Sequence, residues 1–220
     1  MSKQLLIFCD FDGTVTDTDN IIEVMKHFAP PEWEPIKDAI LSEQISIKNG
    51  VGQMFQLLSS NLKEEIVQFV QENAHIRPGF AELVQYVNEE QIPFYIVSGG
   101  VDFFVYPVLK NFISTASIFC NEGDFSGERI QINWPYPCDD QCQNDCGCCK
   151  PSLFRRFPSD QYEKIMIGDS ITDFEASKQA DHVYARDFLQ QKCEELQIPY
   201  TPFTTFYDIL ADLQERKITT

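Results

Sequence analysis

Aspartate and serine side chains stand where three short apolar runs end, and these residue types can support nucleophilic, acid–base and metal chemistry. Asp10 and Asp12 follow the run LLIFC, Ser98 follows IPFYIV, and Asp169 and Asp173 follow YEKIMIG. Carboxylates crowded at one place repel each other unless a cation lies between them. An all-oxygen set of ligands selects a hard cation such as Mg²⁺. The predicted Mg²⁺ ligands are therefore Asp10, Asp12, Asp169 and Asp173.

The elements that must position these side chains are strands alternating with helices. The three apolar runs are short and end at glycine or polar residues, which favours buried strands. The segments between them carry apolar residues at three- and four-residue spacing, which is typical of amphipathic helices. Such alternation predicts a parallel sheet with right-handed crossovers. Ligands bind beyond the carboxyl ends of such strands, so the polar groups converge on one crevice if the three strands are neighbours.

Residues 19–75 interrupt this alternation, because they carry helical patterns and no strand pattern. We therefore predict an α/β fold with a Rossmann-like parallel sheet core and an all-helical cap inserted after the first strand. The predicted core domain comprises residues 1–18 and 76–220, and the predicted cap comprises residues 19–75. The alternative is that these helices simply cover one face of the sheet.

Composition and charge limit the possible partners. The chain has 220 residues, 43% of them hydrophobic, and a formal net charge of −17. A strongly acidic protein is a poor partner for nucleic acid or an anionic membrane, so an anionic substrate must be held by local cations. The apolar start is too short for a signal peptide, and no apolar run approaches the ~18 residues of a membrane span. We expect a cytoplasmic protein, and the sequence leaves a homodimer open.

Four motifs in a fixed order are more specific than any one of them alone. DFDGTVT follows the first predicted strand, SGG the second, and GDSITD the third, while CCKPS supplies a lysine before the third. Together they resemble the haloacid dehalogenase superfamily of aspartate-nucleophile phosphohydrolases, over residues 5–184. The resemblance implies a Mg²⁺-dependent phosphatase that acts on a small phosphorylated metabolite through an aspartyl-phosphate.

The resemblance assigns the first motif to covalent and acid–base chemistry. Asp10 would attack phosphorus, which divides one difficult displacement into two easier ones. Asp12 would protonate the leaving alkoxide and then deprotonate the attacking water. In this family the backbone carbonyl of the second aspartate is also a metal ligand.

The remaining motifs would bind the phosphoryl group and the metal ion. Ser98 and the backbone amide of Gly99 would donate hydrogen bonds to phosphoryl oxygens. Lys150 would neutralise both the nucleophile and the phosphoryl group, and is thus both catalytic and substrate-binding. Asp169 would bind Mg²⁺, and Asp173 would position it directly or through water.

The predicted cap and the lysine motif narrow the resemblance within this superfamily. A cap after the first motif resembles the phosphoserine phosphatase-like branch, although Asp19 stands where that branch carries a glutamate. DFDGTVTDTDN, CCKP and the cysteine-rich loop look closest to the 2-hydroxy-3-keto-5-methylthiopentenyl-1-phosphate phosphatases of methionine salvage. Phosphoserine and phosphocholine/phosphoethanolamine phosphatases are the alternatives. A phosphomutase or a non-catalytic phosphate-binding protein is less favoured.

Several cap residues could contact a substrate, but their spacing is equally typical of an ordinary core. A methylthio tail needs an apolar pocket, whereas a choline head group needs an anionic or aromatic cage. The candidates for the apolar pocket are Phe28, Trp33, Met54 and Phe55. The candidates for the cage are Asp19, Glu23 and Trp33.

Five of the eight cysteines lie in a loop that runs directly into Lys150. Structural Zn²⁺, disulfides and reduced thiols are all open, and we favour reduced thiols because two adjacent cysteines cannot easily ligate one metal ion. The loop cysteines are Cys138, Cys142, Cys146, Cys148 and Cys149. We expect Cys9, Cys120 and Cys193 to be core residues, and we assign no function to His27, His75 or His182.

Overall fold

The strands of the chain form one sheet, in the spatial order β4-β3-β2-β1-β5-β6-β7. The computed structural model describes residues 3–218. Neighbouring strands in this part of the chain are parallel, except that β4 is antiparallel to β3. The strands are β1 (Gln4–Cys9), β2 (Phe94–Val101), β3 (Ile118–Asp124), β4 (Gln131–Asn133), β5 (Tyr162–Gly168), β6 (His182–Ala185) and β7 (Thr201–Pro202).

Ten helices connect these strands in residues 3–218. They are α1 (Asn20–Phe28), α2 (Trp33–Leu41), α3 (Ile47–Gln56), α4 (Lys63–Asn73), α5 (Phe80–Glu89), α6 (Asp102–Leu109), α7 (Lys150–Arg155), α8 (Ile171–Ser177), α9 (Asp187–Leu196) and α10 (Phe206–Ile218). Short 3₁₀ turns at Ser60–Leu62 and Thr115–Ser117 complete the connections.

Strand β1 lies at the centre of the sheet and is buried on both faces. Ile7 and Cys9 pack into one apolar cluster, and Leu6 and Phe8 pack into a second cluster. This explains why the strand reads as a continuous apolar run, which is typical of parallel sheets covered on both sides. Cys9 pairs in register with residues of both β2 and β5. The three strands that precede the polar motifs are therefore neighbours, which is the condition under which the sequence analysis expects the polar groups to converge.

The helical segment after β1 is an insertion between β1 and β2. Helices α1 to α4 follow one another without an intervening strand, and an isolated antiparallel bridge joins Thr16 to Ile76 at the base of the insertion. Asp19 caps α1, because its carboxylate accepts a 3.0 Å hydrogen bond from the backbone N–H of Ile22. The predicted fold class, with its helical cap, is confirmed. The boundaries of the cap at residues 19 and 75 remain predictions.

The structure also tests the sequence-based expectations about the core and the membrane. Cys9, Cys120 and Cys193 are buried, as expected of core residues. Trp33 and Phe55 are buried within the large apolar cluster. Among the described helices, none is both long enough and apolar enough to span a membrane.

Candidate active site

The segment that follows β1 is held rigidly at the carboxyl end of the sheet. The backbone N–H of Asp10 donates a 2.9 Å hydrogen bond to the carbonyl of Ile167 in β5. The chain then turns at Gly13, whose φ of +77° is a conformation that glycine adopts without strain. The buried guanidinium of Arg77 donates hydrogen bonds to the carbonyl oxygens of Gly13 and Thr14, at 2.9 and 2.8 Å. The loop that carries Asp10 is therefore fixed before any ligand binds.

Three carboxylates and one ammonium group meet at this position. Oxygen atoms of Asp10, Asp169 and Asp173 all lie within 4.8 Å of one another. The Lys150 Nζ lies 2.7 Å from Asp10 Oδ1 and also donates to Asp173 Oδ1. Lys150 is only 2% exposed and is the first residue of α7. The structure thus brings together four of the residues that the sequence singles out.

Burial and mutual repulsion raise the pKa values of two of these carboxyl groups. The pKa of Asp10 is raised well above its usual value, chiefly by burial and then by the charge of Asp173. Burial and the Asp173 charge raise the pKa of Asp169 to about 7. Burial alone would lower the pKa of Lys150, but the charges of Asp10 and Asp173 outweigh burial and raise it. Lys150 therefore stays protonated, yet a single cation does not fully offset three carboxylates.

The donor set and its surroundings fit a hard divalent cation. All of the clustered donor atoms are carboxylate oxygens, which are the ligands that Mg²⁺ prefers. The backbone fits closely around them, because a Cβ on Gly13 would lie 2.4 Å from Asp169 Oδ2 and one on Gly168 would lie 2.5 Å from Asp173 Cγ. Thr14 Oγ1 also donates a 2.7 Å hydrogen bond to Asp169 Oδ1, which fixes the direction of that carboxylate.

Asp173 differs from the other two carboxylates in the number of donors around it. Its Oδ1 accepts from Lys150, and its Oδ2 accepts from the backbone N–H groups of Asp169 and Ser170 at 3.1 and 3.0 Å. Both oxygens are therefore already engaged, and the side chain is fully buried. This arrangement favours an indirect role for Asp173 in metal binding, through water or through the orientation of Lys150 and Asp169.

The carboxylate of Asp12 points to a separate set of donors. Its Oδ1 accepts hydrogen bonds from the backbone N–H and the Nδ2 of Asn20, at 3.0 and 2.7 Å. Its Oδ2 accepts a 3.3 Å hydrogen bond from Ser98 Oγ. Burial, and then the nearby charge of Asp19, raise the pKa of Asp12 to about 7, although the hydrogen bonds from Asn20 oppose that rise. A carboxyl group with such a pKa can donate and accept a proton near neutral pH.

Ser98 and Gly99 are consecutive residues of β2 and differ in their surroundings. Ser98 is fully buried, and its Oγ accepts a 2.8 Å hydrogen bond from the Gly100 N–H while donating to Asp12. Gly99 faces open space, since a Cβ added there would meet no atom within 4 Å. Its carbonyl is fixed by a 2.7 Å hydrogen bond from Asn121 Nδ2. Gly99 therefore offers room for a ligand beside Asp10, whereas Ser98 stabilises the turn.

Four contributors to this site escaped the sequence analysis. Asn20 donates to Asp12 from the first residue of the cap, and Thr14 donates to Asp169. Thr172 Oγ1 lies 3.2 Å from Lys150 Nζ, and Arg77 supports the loop after β1. Thr14 and Thr172 lie inside quoted motifs, so their polar character was a usable signal. Asn20 ends the quoted stretch DFDGTVTDTDN, but nothing in the sequence shows that its side chain turns back to Asp12. Arg77 lies outside every quoted motif, and only the folded chain brings it to the loop.

A cavity of about 200 Å³ lies between the cap and the carboxylates. The core supplies Asp10, Asp12, Gly99 and Asp169 to its wall, together with the segment Ser170 to Thr172. The cap supplies mostly apolar side chains, which include Ile21, Ile40, Leu41, Ile47, Val51 and Met54. One end of the cavity is thus charged and the other is apolar.

Only part of the expected cap pocket lies on this cavity. Met54 lines it, as does Asp19. Trp33 and Phe55 are instead buried in the core, and Phe28 packs edge-on against Phe69. The apolar wall therefore consists mainly of aliphatic residues that the sequence analysis did not single out.

Comparison with solved structures shows the same fold. A structure titled as the phospho-aspartyl intermediate analogue of phosphoserine phosphatase matches with a TM-score of 0.71 at 15% identity, covering 96% of this chain and 99% of that chain. A HAD family hydrolase from Salmonella enterica subsp. enterica serovar Typhi matches with a TM-score of 0.72 at 13% identity, covering 96% of this chain and 71% of that chain. At these identities the likeness concerns the fold alone.

Sequence comparisons give the family. The family model described as haloacid dehalogenase-like hydrolase matches residues 7–178. The 2-hydroxy-3-keto-5-methylthiopentenyl-1-phosphate phosphatase of Geobacillus kaustophilus (strain HTA426) is 57% identical over 218 residues, which are 99% of each chain. The protein of the same name from Bacillus mycoides (strain KBAB4) is 57% identical over 208 residues, which are 94% of this chain and 95% of the relative. This chain therefore belongs to the haloacid dehalogenase-like hydrolases and is a phosphoric monoester hydrolase.

Proposed function

We propose that this phosphatase works through an aspartyl-phosphate formed on Asp10. The observation that carries the proposal is the contact between the buried Lys150 ammonium and Asp10, beside Asp169, at the carboxyl end of the sheet. A carboxylate oxygen of Asp10 forms a bond to phosphorus while the bond from phosphorus to the ester oxygen breaks. Asp12 gives its proton to that oxygen, so the alcohol leaves uncharged.

The second half of the reaction regenerates both aspartates. A water molecule attacks phosphorus and gives its proton to the Asp12 carboxylate, and the bond from phosphorus to Asp10 breaks. Inorganic phosphate then leaves. The raised pKa of Asp12, about 7, suits a group that must first donate a proton and then accept one.

Mg²⁺ would be held by the Asp10 carboxylate, the backbone carbonyl of Asp12 and Asp169, with Asp173 acting indirectly. When bound, it would neutralise charge on the nucleophile and the phosphoryl oxygens. Lys150 neutralises the same region from within the protein. The Gly99 amide would donate to the phosphoryl group, and Ser98 would support it through its hydrogen bonds to Asp12 and Gly100. These groups contact the phosphate end of a substrate, so they do not distinguish one ester from another.

The cavity favours a substrate with an apolar end. Its cap side is aliphatic, and Leu41 lies on this wall with 71% of its surface exposed. The relatives named above are phosphatases of 2-hydroxy-3-keto-5-methylthiopentenyl-1-phosphate, whose methylthio tail such a wall would bury. We therefore propose this enol-phosphate as the substrate, which would place the enzyme in methionine salvage.

The alternative substrates fit the cavity less well. Of the residues considered for a choline cage, Asp19 lines the cavity, but Trp33 is buried in the core and Glu23 pairs with Lys26. A cationic head group would also meet the Lys37 side chain at the cavity wall. Phosphoserine carries two charged groups beyond the phosphate, and burying them against aliphatic side chains would be costly.

The deciding experiment compares kcat/KM for the methylthio enol-phosphate, phosphoserine and phosphocholine. Burial of a tail of a few carbons and a sulfur stabilises the bound substrate and its transition state by ~0.8 kcal/mol per methylene-sized group. We therefore expect kcat/KM to be at least about tenfold higher for the enol-phosphate than for either competitor. A competitor within a factor of about three, or ahead, would refute the substrate assignment.

Two matched variants locate the source of that preference. Leu41→Asn places a polar group on the cavity wall and should lower kcat/KM for the enol-phosphate roughly three- to thirtyfold, with less effect on phosphoserine. Leu196→Asn makes the same change at a comparably exposed leucine in α9, and should leave both values unchanged. Equal losses for both substrates in Leu41→Asn would show that the cap wall does not contact the tail.

A further inference from the structure

Four of the loop cysteines converge on one point away from the carboxylates. The Sγ atoms of Cys138, Cys142, Cys146 and Cys149 all lie within 4.8 Å of one another. The Sγ atoms of Cys142 and Cys146 are 3.9 Å apart. Zn–S bonds of about 2.3 Å in a tetrahedron place the sulfur atoms about 3.8 Å apart. The four thiols therefore already have nearly the spacing of a mononuclear tetrahedral site.

We propose that these four cysteines bind one structural Zn²⁺ ion. Tetrahedral coordination by four sulfur ligands is the arrangement that zinc favours in closed structural sites, which leave no position for a substrate. The same spacing opposes an iron–sulfur cluster, whose several metal atoms hold their thiolates farther apart. The ligand type opposes magnesium, because Mg²⁺ prefers oxygen ligands to sulfur.

Cys148 removes the objection that adjacent cysteines cannot share a metal ion. Its side chain is buried and points away from the cluster, so that Sγ lies 3.6 Å from the carbonyl oxygen of Phe119. Only Cys149 of the pair faces the other three thiols. Cys146 and Cys149 are then separated by two residues, a spacing common among zinc ligands.

The groups around the thiols suit negatively charged sulfur. The backbone N–H of Cys146 donates to Cys138 Sγ at 3.4 Å, and Ser152 Oγ donates to Cys149 Sγ at 2.9 Å. Gly147 allows the tight turn between ligands, with φ of +81°, and a Cβ there would lie 2.7 Å from the Trp134 ring. Such donors stabilise thiolates, and a backbone fitted to them holds the ligands in place without the metal.

The site would join three parts of the molecule. Arg155 Nε in α7 donates to Asp139 Oδ2 at 2.7 Å, near the start of the loop. In the middle of the loop, Asp145 accepts a 2.6 Å hydrogen bond from Ser46 Oγ at the start of α3. At its end, Cys149 immediately precedes Lys150. A metal ion at the four thiols would therefore fix the loop that links the cap to the active-site lysine.

Metal analysis tests this proposal without any measurement of activity. We expect the full-length, untagged protein, purified in reducing buffer and passed over a chelating resin, to hold about one zinc per chain by elemental mass spectrometry. Cys142→Ser and Cys146→Ser should each lower the zinc content at least about fivefold. Cys148→Ser is the matched control, since it changes a cysteine of the same loop outside the cluster, and should retain the zinc.

A second measurement uses the wild-type protein and does not depend on the folding of variants. After exchange with Co²⁺, four thiolate ligands should give strong sulfur-to-cobalt charge-transfer bands and the intense visible bands of tetrahedral coordination. Zinc below about a fifth of an equivalent in the wild type, with no such cobalt spectrum, would overturn the proposal. So would iron in place of zinc, a disulfide between cluster cysteines, or unchanged zinc in both cluster variants.

Discussion

Two clusters of potential metal ligands flank Lys150, and they differ in chemistry and in how the chain assembles them. On one side, Asp10, Asp169 and Asp173 present oxygen atoms, and the lysine Nζ lies among them. On the other side, four cysteines present sulfur atoms within residues 138–149. Hard oxygen ligands select Mg²⁺, and soft thiolates select Zn²⁺. In the two proposals, ligand type alone separates a catalytic metal site from a structural one on either side of a short segment.

The two clusters also depend on different levels of structure. Asp10 and Asp169 directly follow β1 and β5, which are distant in sequence but adjacent in the sheet, and Asp173 lies in the first turn of α8 after β5. The sheet itself therefore brings these carboxylates together. The thiols come from one loop between β4 and α7, and their approach depends on turns and on contacts with Trp134, Ser152 and the cap. The oxygen cluster is therefore a product of the sheet, whereas the sulfur cluster is a product of local turns in a segment that has little regular structure.

The largest effect should come from Asp10→Asn, which should change the activity without changing the metal content of the thiol cluster. The amide keeps the shape of the side chain but cannot attack phosphorus, so kcat should fall more than about a thousandfold. The zinc content should not change, because the thiols do not contact Asp10. Steady-state kinetics and metal analysis on the same preparation measure both quantities.

The control for this variant is Asp160→Asn, which makes the same chemical change at an exposed carboxylate in the turn before β5. It should leave kcat within about twofold of wild type, as is usual for exposed positions away from the site. If Asp10→Asn kept more than about a thousandth of wild-type kcat, the nucleophile assignment would be wrong.

The sequence revealed the oxygen cluster because its rule is simple. Polar residues at the carboxyl ends of parallel strands meet where those strands are neighbours, so Asp10 and Asp169 could be placed together from pattern once their strands were taken as neighbours. Asn20 could not, because its hydrogen bonds to Asp12 depend on how the cap helix α1 leaves the loop. The aliphatic cap wall was missed for the same reason. Helical spacing shows which residues share a face, but not which end of that face borders the cavity.

The sulfur cluster was harder to interpret because adjacency in sequence does not show which thiols face one another. Cys148 and Cys149 are neighbours, and treating them as equivalent argued against any shared metal ion. In the structure one thiol enters the core near Phe119 and the other faces the loop. Opposite side-chain directions at consecutive residues are common in extended chain. A loop without periodicity offers no way to decide in advance which of the two points inward.

Brief treatment with a chelator should remove the metal ion from the carboxylate cluster but not from the thiol cluster. Dialysis against EDTA should lower activity at least about a hundredfold, because the carboxylates would lose a weakly held Mg²⁺ ion. Added Mg²⁺ should restore the activity, and Ca²⁺ should not, since its larger coordination shell would let Asp10 bind in a mode unsuited to attack. Zinc at four thiolates should survive the same treatment. Full activity after exhaustive chelation would contradict the Mg²⁺ requirement. Loss of zinc and activity in parallel would show that the two clusters do not differ in how tightly they hold a metal ion.

The smallest predicted effect concerns the pKa of Asp12, which lies beside the oxygen cluster. Its neighbours Asp19 and Asn20 shift this pKa in opposite directions. Asp12 must be protonated to donate to the leaving group, so kcat/KM should fall as the pH rises through its pKa of about 7. The negative charge of Asp19 raises this pKa. Asp19→Asn removes the charge but keeps a good helix cap, so the alkaline limb should move down by roughly half a pH unit.

Asn20→Ala should move the same limb in the opposite direction, because the side-chain hydrogen bond from Asn20 stabilises the Asp12 carboxylate and lowers its pKa. Asp17→Asn is the matched control: it neutralises a half-exposed carboxylate in the same loop, which pairs with Arg77 rather than with Asp12. The full pH dependence of kcat/KM for the three variants and the wild type decides the matter. A merely structural role for Asp19 and Asn20 would lower the curve without moving it, whereas opposite displacements identify Asp12 as the titrating acid.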